Sequence, residues 1–237
     1  MRYKWLNVEW PLSIAQLAAR MKSMEFNSTQ QHGFVIDKIR DDTLEARYVE
    51  RISYTDTIID PFGNETSFDR MEYRHSAFRL TKAPPTLEFI NSPRSLQAVL
   101  SRFSEISDFT VSIEELQVDV LVWAEELLKT VKGAGVLDSM QISRLELGNK
   151  VFAKILVSGE KDIKDACAQL IGDRKHTLEK IRVRLQSPLK GTIVLSNGGA
   201  ATLSIEEVSE HVASLLRGSL NVALTKGKPI LATTASH

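Results

Sequence analysis

The sequence predicts an α+β fold in which antiparallel strand meanders carry packed helices. Three observations lead there. Period-two alternation of β-branched and aromatic residues recurs in both halves of the chain. Successive strands are joined by short turns bearing Gly, Pro and Asn instead of alternating strictly with helices. Between them lie segments whose apolar residues stand three and four apart. The similar order of strands and helices in the two halves is compatible with two similar α+β units, although residue identity between them is too low to define a repeat.

Residues 12–25 bring Ile14, Leu17, Ala18 and Met21 to one side behind Ser13, so a short amphipathic helix with Ser13 as N-cap is expected. After the polar break at 27–33, residues 34–36, 44–52 and 68–80 read as antiparallel strands. Asp60-Pro61-Phe62-Gly63-Asn64 joins the last two; its proline fixes φ and its glycine tolerates positive φ, as a tight turn requires. A strand over 86–90 follows the Ala83-Pro84-Pro85 break. Ser92-Pro93 then reads as an N-cap with proline at N1, and Leu96, Val99, Leu100 and Phe103 continue at helical spacing to about 107. Residues 109–118 read as a short strand. Asp119 reads as the cap of a helix running to 132, closed by Gly133, with Lys129 and Lys132 at the negative end of its dipole.

The second half opens with strands over 136–147 and 151–157, joined at Gly148-Asn149, and a helix over 161–171. Strands over 178–185, 192–195 and 201–203 follow, separated by Ser187-Pro188 and Asn197-Gly198-Gly199 turns. Ser204 and Glu207 match a capping box for a last helix carrying Ile205, Val208, Val212 and Leu215. The expected organisation is an N-terminal unit over 1–132 with a helix, antiparallel strands and two helices, and a C-terminal α+β unit over 136–218. A partly loose tail over 219–237, containing Pro229, would follow.

Thirty Lys and Arg against thirty Asp and Glu exclude a uniformly basic nucleic-acid coat and an acidic tail protein. One cysteine, Cys167, excludes a disulfide scaffold and favours a reducing, cytoplasmic setting; on the packed side of a helix it is expected to be a small buried hydrophobe. No apolar run approaches the ~20 residues of a membrane span, and charges and Pro11 break the first residues where a signal peptide would be apolar, so a soluble protein with no membrane partner is expected. Trp5, Trp10 and Trp123 are core residues or hydrophobic anchors. No phosphate loop, zinc motif or serine-nucleophile elbow is visible, and no catalytic residue, metal ligand or cofactor is assigned.

Two clusters bear on function. Asp60, Glu65, Asp69, Glu72 and His75 offer ligands of the kind a magnesium-dependent hydrolase uses. Strand parity puts Asp69 and His75 on one face and Glu72 on the other. A nuclease-like hydrolase using carboxylates around Asp60 and Asp69 is therefore the alternative. The stronger signal is charge polarity. Seven acidic residues and no basic one lie between Glu105 and Glu126, whereas Arg174, Lys175, Lys180, Arg182, Arg184 and Lys190 meet only Glu179. On a strand Lys180, Arg182 and Arg184 share one face, opposite Ile181, Val183 and Leu185. The leading expectation is a non-enzymatic binding or assembly subunit that self-associates or joins a protein complex. These six basic residues would be its contact with nucleic-acid phosphates or an acidic protein surface.

Overall fold

The computed structural model describes residues 1–131, 135–187, 189–205 and 210–226. The described residues form five helices and eleven strands, the named neighbours running antiparallel, so the α+β meander is what the chain adopts. Packing divides the chain into two units, one of Asn7–Ile113 and one of Met1–Leu6 with Glu114–His237. The division falls inside the first strand, β1 (Arg2–Glu9).

The first unit holds α1 (Ile14–Ser23), β2 (His32–Ile39), β3 (Thr43–Ile59), β4 (Glu65–Thr81), β5 (Leu87–Ile90) and α2 (Gln97–Ile106). Its strands run in the order β2-β3-β4-β5, followed by residues 7–9 of β1. Helix α1 begins where expected. Ser13 and Gln16 form a reciprocal capping box, and Ile14, Leu17, Ala18 and Met21 are buried. The core is aromatic: Phe103 of α2 lies 4.9 Å from Phe78 and 6.1 Å from Phe34, and Phe34 contacts Tyr48. Helix α2 starts later than Ser92-Pro93 suggests. Ser92 donates to the Pro93 carbonyl, and Ser95 accepts from the Gln97 amide, one residue before the first turn closes.

Strands β3 and β4 pair in unbroken register from Thr43/Thr81 to Ile59/Glu65. Strand β2 accompanies β3 only to Glu50, and β5 accompanies β4 only to Ala77. The nine pairs from Arg51/Tyr73 to Ile59/Glu65 therefore form a two-stranded arm, about 30 Å long at ~3.4 Å per residue. At its tip Asp60 accepts from the Phe62 and Asn64 amides at 2.8 and 2.9 Å and from Asn64 Nδ2 at 2.8 Å, so the predicted turn is formed by its own aspartate.

The second unit adds β6 (Ser112–Glu115), α3 (Val120–Thr130), β7 (Gly135–Gly148), β8 (Val151–Ser158), α4 (Lys164–Ile171), β9 (Thr177–Leu185), β10 (Gly191–Ser196), β11 (Ala200–Ile205) and α5 (Glu210–Lys226). Its strand order is β8-β7-β9-β10-β11-β1, with β6 beside β1. Asp119 caps α3 by accepting from the Leu121 and Val122 amides. Helix α3 packs on α5 and against β7, β9 and β10. Trp123 meets Trp5 edge-on at 5.7 Å and donates to Ser219 Oγ at 3.2 Å. Buried Ile181, Val183, Ile193, Leu195, Ala201 and Leu203 alternate toward this core.

Ser204 and Ile205 belong to β11, in the ladder with Thr192 and Gly191, and the expected capping box of Ser204 with Glu207 reaches outside the described residues. Helix α5 buries Val212, Leu216 and Leu220 and continues beyond Gly218 to Lys226. The expected roles of Lys132, Gly133, Pro188, Glu207, Val208 and Pro229 lie outside the described residues.

Candidate nucleic-acid interface

Directly opposed residues of antiparallel strands share a face, so the registers of the second unit can be followed across its sheet. One row runs Arg2, Thr202, Val194, Arg182, Ser139; the next runs Lys4, Ala200, Ser196, Lys180, Gln141, Leu156. A third runs Ser204, Thr192, Arg184, Val136. Lys180, Thr202, Ser204, Arg2 and Leu156 are exposed, and the remaining members are half-buried. The row from Lys4 to Leu156 crosses six strands, about 24 Å at ~4.8 Å per strand. Basic side chains thus collect from β1 and from the distant β9 onto the face opposite α3.

Two register slips between β7 and β9 modify this face. Leu137 opposes Val183 while Ser139 opposes Arg182, which makes Asp138 the extra residue of a β-bulge; Gln141 opposes Lys180 while Ile142 opposes Leu178, which makes Glu179 another. The slips let both carboxylates join the basic side chains. Asp138, 4% exposed, accepts from Arg182 Nε at 2.7 Å on one oxygen and from Arg184 Nε at 3.1 Å on the other. One negative charge holds two guanidinium groups in place, and the pair retains a positive excess. Both arginine side chains remain about two-fifths exposed, at 42% and 41%. Glu179 binds Lys154 at 3.0 Å and also accepts from Gln141. The Lys154 hydrogen bond, then those from Ser143 and Gln141, hold the Glu179 carboxyl down at about 2.

The six expected contact residues separate into groups. Arg174 donates Nε to the Ile171 carbonyl at 2.9 Å and another nitrogen to the Leu170 carbonyl, so it closes the C-terminal end of α4. Arg182 and Arg184 are oriented by Asp138, and Arg184 also reaches the Glu160 carbonyl. Lys180 projects from β9 as strand parity predicts, while Lys175 and Lys190 lie exposed in the segments before β9 and β10. Arg2, Lys175, Lys180 and Lys190 have no ion-pair partner among the described residues. Sequence reasoning missed Arg2, Lys4, Lys154 and Asp138. The alternation of Arg2 and Lys4 with buried Tyr3 and Trp5 was the available signal for the first two.

The acidic segment is largely paired within its own units. Glu105 meets Arg102, Asp108 meets Arg20, Glu115 meets Lys4, Glu125 meets Lys164, and Glu126 meets Lys129 and Lys226. Asp60, Asp69 and His75 are not brought together. Asp60 is occupied by the tip amides, Asp69 accepts from Thr55, and His75 lies six residues further along the strand, about 20 Å at ~3.4 Å per residue. Among the described residues no three His, Cys, Asp or Glu side chains are grouped to hold a metal ion. Cys167 is buried in α4, and that burial pushes its thiol pKa up. Trp5 and Trp123 are fully buried, while half-buried Trp10 packs edge-on against Phe103 at 5.3 Å.

No helix among the described residues is long and apolar enough to cross a membrane. The chain matches no protein-family model, and comparison with curated protein sequences returns no match.

Proposed function

We propose that the protein is a non-enzymatic nucleic-acid-binding subunit that grips phosphates with the basic face of its second unit. The observation that supports this reading is the convergence of Arg2, Lys180, Arg182 and Arg184 on one accessible sheet face, where Asp138 holds two of them. Little aromatic surface stands among these side chains, so binding through phosphates, without base readout, is the chemistry that fits. A single buried thiol suits a reducing, cytoplasmic setting.

Fluorescence anisotropy with a labelled oligonucleotide over a salt series tests the assignment. Affinity should fall as salt rises, and Lys180→Ala should weaken binding to all sequences alike and lower the salt slope by about one. Asp138→Asn gives a second, opposite signature. It removes the charge that offsets Arg182 and Arg184, so binding should tighten. Weakening two charge-assisted hydrogen bonds should cost about 1.5–3 kcal/mol of stability. Absence of binding at low salt, or binding indifferent to Lys180→Glu combined with Arg2→Glu, would overturn the proposal.

A further inference from the structure

The β3–β4 arm carries large apolar side chains that its own unit leaves uncovered. Ile58 is 58% exposed, Ile59 62%, Phe62 90% and Phe68 44%. A two-stranded ribbon has no second layer to stabilise it, and clustered exposed apolar groups mark contact surfaces. The charge of this surface is one-sided. From 52 to 69 the chain has Asp56, Asp60, Glu65 and Asp69 and no lysine or arginine. Arg70 offsets Asp56 at 3.6 Å, whereas Glu65 has no ion-pair partner among the described residues. Such a tip is repelled by nucleic-acid phosphates. The same tip of another copy also repels it, which disfavours symmetric pairing of arm with arm.

A complementary surface is present on the same chain. The basic face of the second unit offers Arg2 and Lys180, which have no ion-pair partner among the described residues, and the positive excess of the Arg182 and Arg184 pair. Its β8 border adds Phe152 and Leu156, 55% and 68% exposed, with Leu156 in the same row as Lys180. Cations beside uncovered apolar groups fit a tip that has carboxylates beside uncovered apolar groups. We propose that the arm tip of one copy docks on the basic sheet face of a second copy of this chain. The contact is heterologous: every copy offers one arm and one face, so association continues from copy to copy into a ring or an open filament. It uses the face assigned above but not its phosphate chemistry.

Light scattering without nucleic acid tests this with two variants, each lacking one partner surface. In the first, residues 55–69 are replaced by Asn-Gly, so that the Tyr54/Arg70 pair closes a two-residue hairpin. In the second, Lys180→Glu is combined with Arg2→Glu on the face. The wild-type protein should exceed the mass of one chain at low salt and grow with concentration. Each variant alone should be monomeric, and an equimolar mixture should form a one-to-one pair and grow no further. Ile59→Ser with Phe62→Ser, which leaves the ribbon intact, should lower the mass like the shortened arm. A monomeric wild type, a mixture that stays monomeric, or a shortened-arm variant that assembles like wild type would overturn the docking. The anisotropy experiment would be untouched by that failure, because it requires the face and not the arm.

Discussion

Asp138 shows how one residue changes the character of a surface. Alternation along β9 separates Lys180, Arg182 and Arg184 from buried Ile181, Val183 and Leu185, and that much is readable in a single strand. The carboxylates among these cations come from bulges, and a bulge is a relation between two strands with no period of its own. Arg174 shows the converse: adjacent in sequence to the basic stripe, it serves the end of a helix. Glu179 makes the residue scale measurable. Its carboxyl titrates at about 2 in the folded protein, against about 4.3 for an unconstrained glutamate. A depressed folded pKa adds stability that is fully present above the unfolded value and disappears as pH falls through the folded one. Urea denaturation from pH 6 down to pH 2 should therefore show a loss across that window that is smaller in Glu179→Gln. Parallel curves for the two proteins would contradict the assignment.

Elements whose signals are local were legible, and those defined by their neighbours were not. Helix α1 is specified within its own residues, by Ser13, Gln16 and four buried apolar positions. Ser13→Ala removes the cap and should cost about 1 kcal/mol, read as a lower urea midpoint with unchanged slope. The last helix carries the same kind of signal, but its expected start lies outside the described residues. Ser204 pairs with Thr192 in the ladder between β10 and β11, which the capping-box pattern of Ser204 and Glu207 does not reveal. Strand β3 extends seven residues beyond the expected end at Ile52, because an arm with both faces in solvent has no buried period to reveal it. Its exposed apolar residues were visible as letters, but their exposure was not. The basic face was half legible for a related reason: β9 advertises its charges, whereas Arg2 contributes only through its pairing with Thr202.

For the molecule as a whole, the two packing units are not two consecutive stretches of chain. Residues Met1–Leu6 belong with everything after Ile113. Tyr3 and Trp5 are buried there, stacked at 5.4 Å, with Trp5 against Trp123. Removing residues 1–6 should lower the melting temperature and expose apolar surface to a dye, and a synthetic peptide of residues 1–9 added in trans should reverse both. A truncated chain as stable as the full one would show that β1 is dispensable to the second unit.

Strand β1 also sets the order of events during synthesis. Arg2 pairs with Thr202, two hundred residues further along. At about 5–20 residues per second the ribosome needs roughly 10–40 s to make that partner after Arg2 has been joined. Throughout that interval Tyr3 and Trp5 have no β11 beside them, and Trp123 joins them only partway. The closure is long in sequence and slow to find. A holding chaperone that recognises short aromatic segments would meet this chain at β1, and its release would be timed by the arrival of β11.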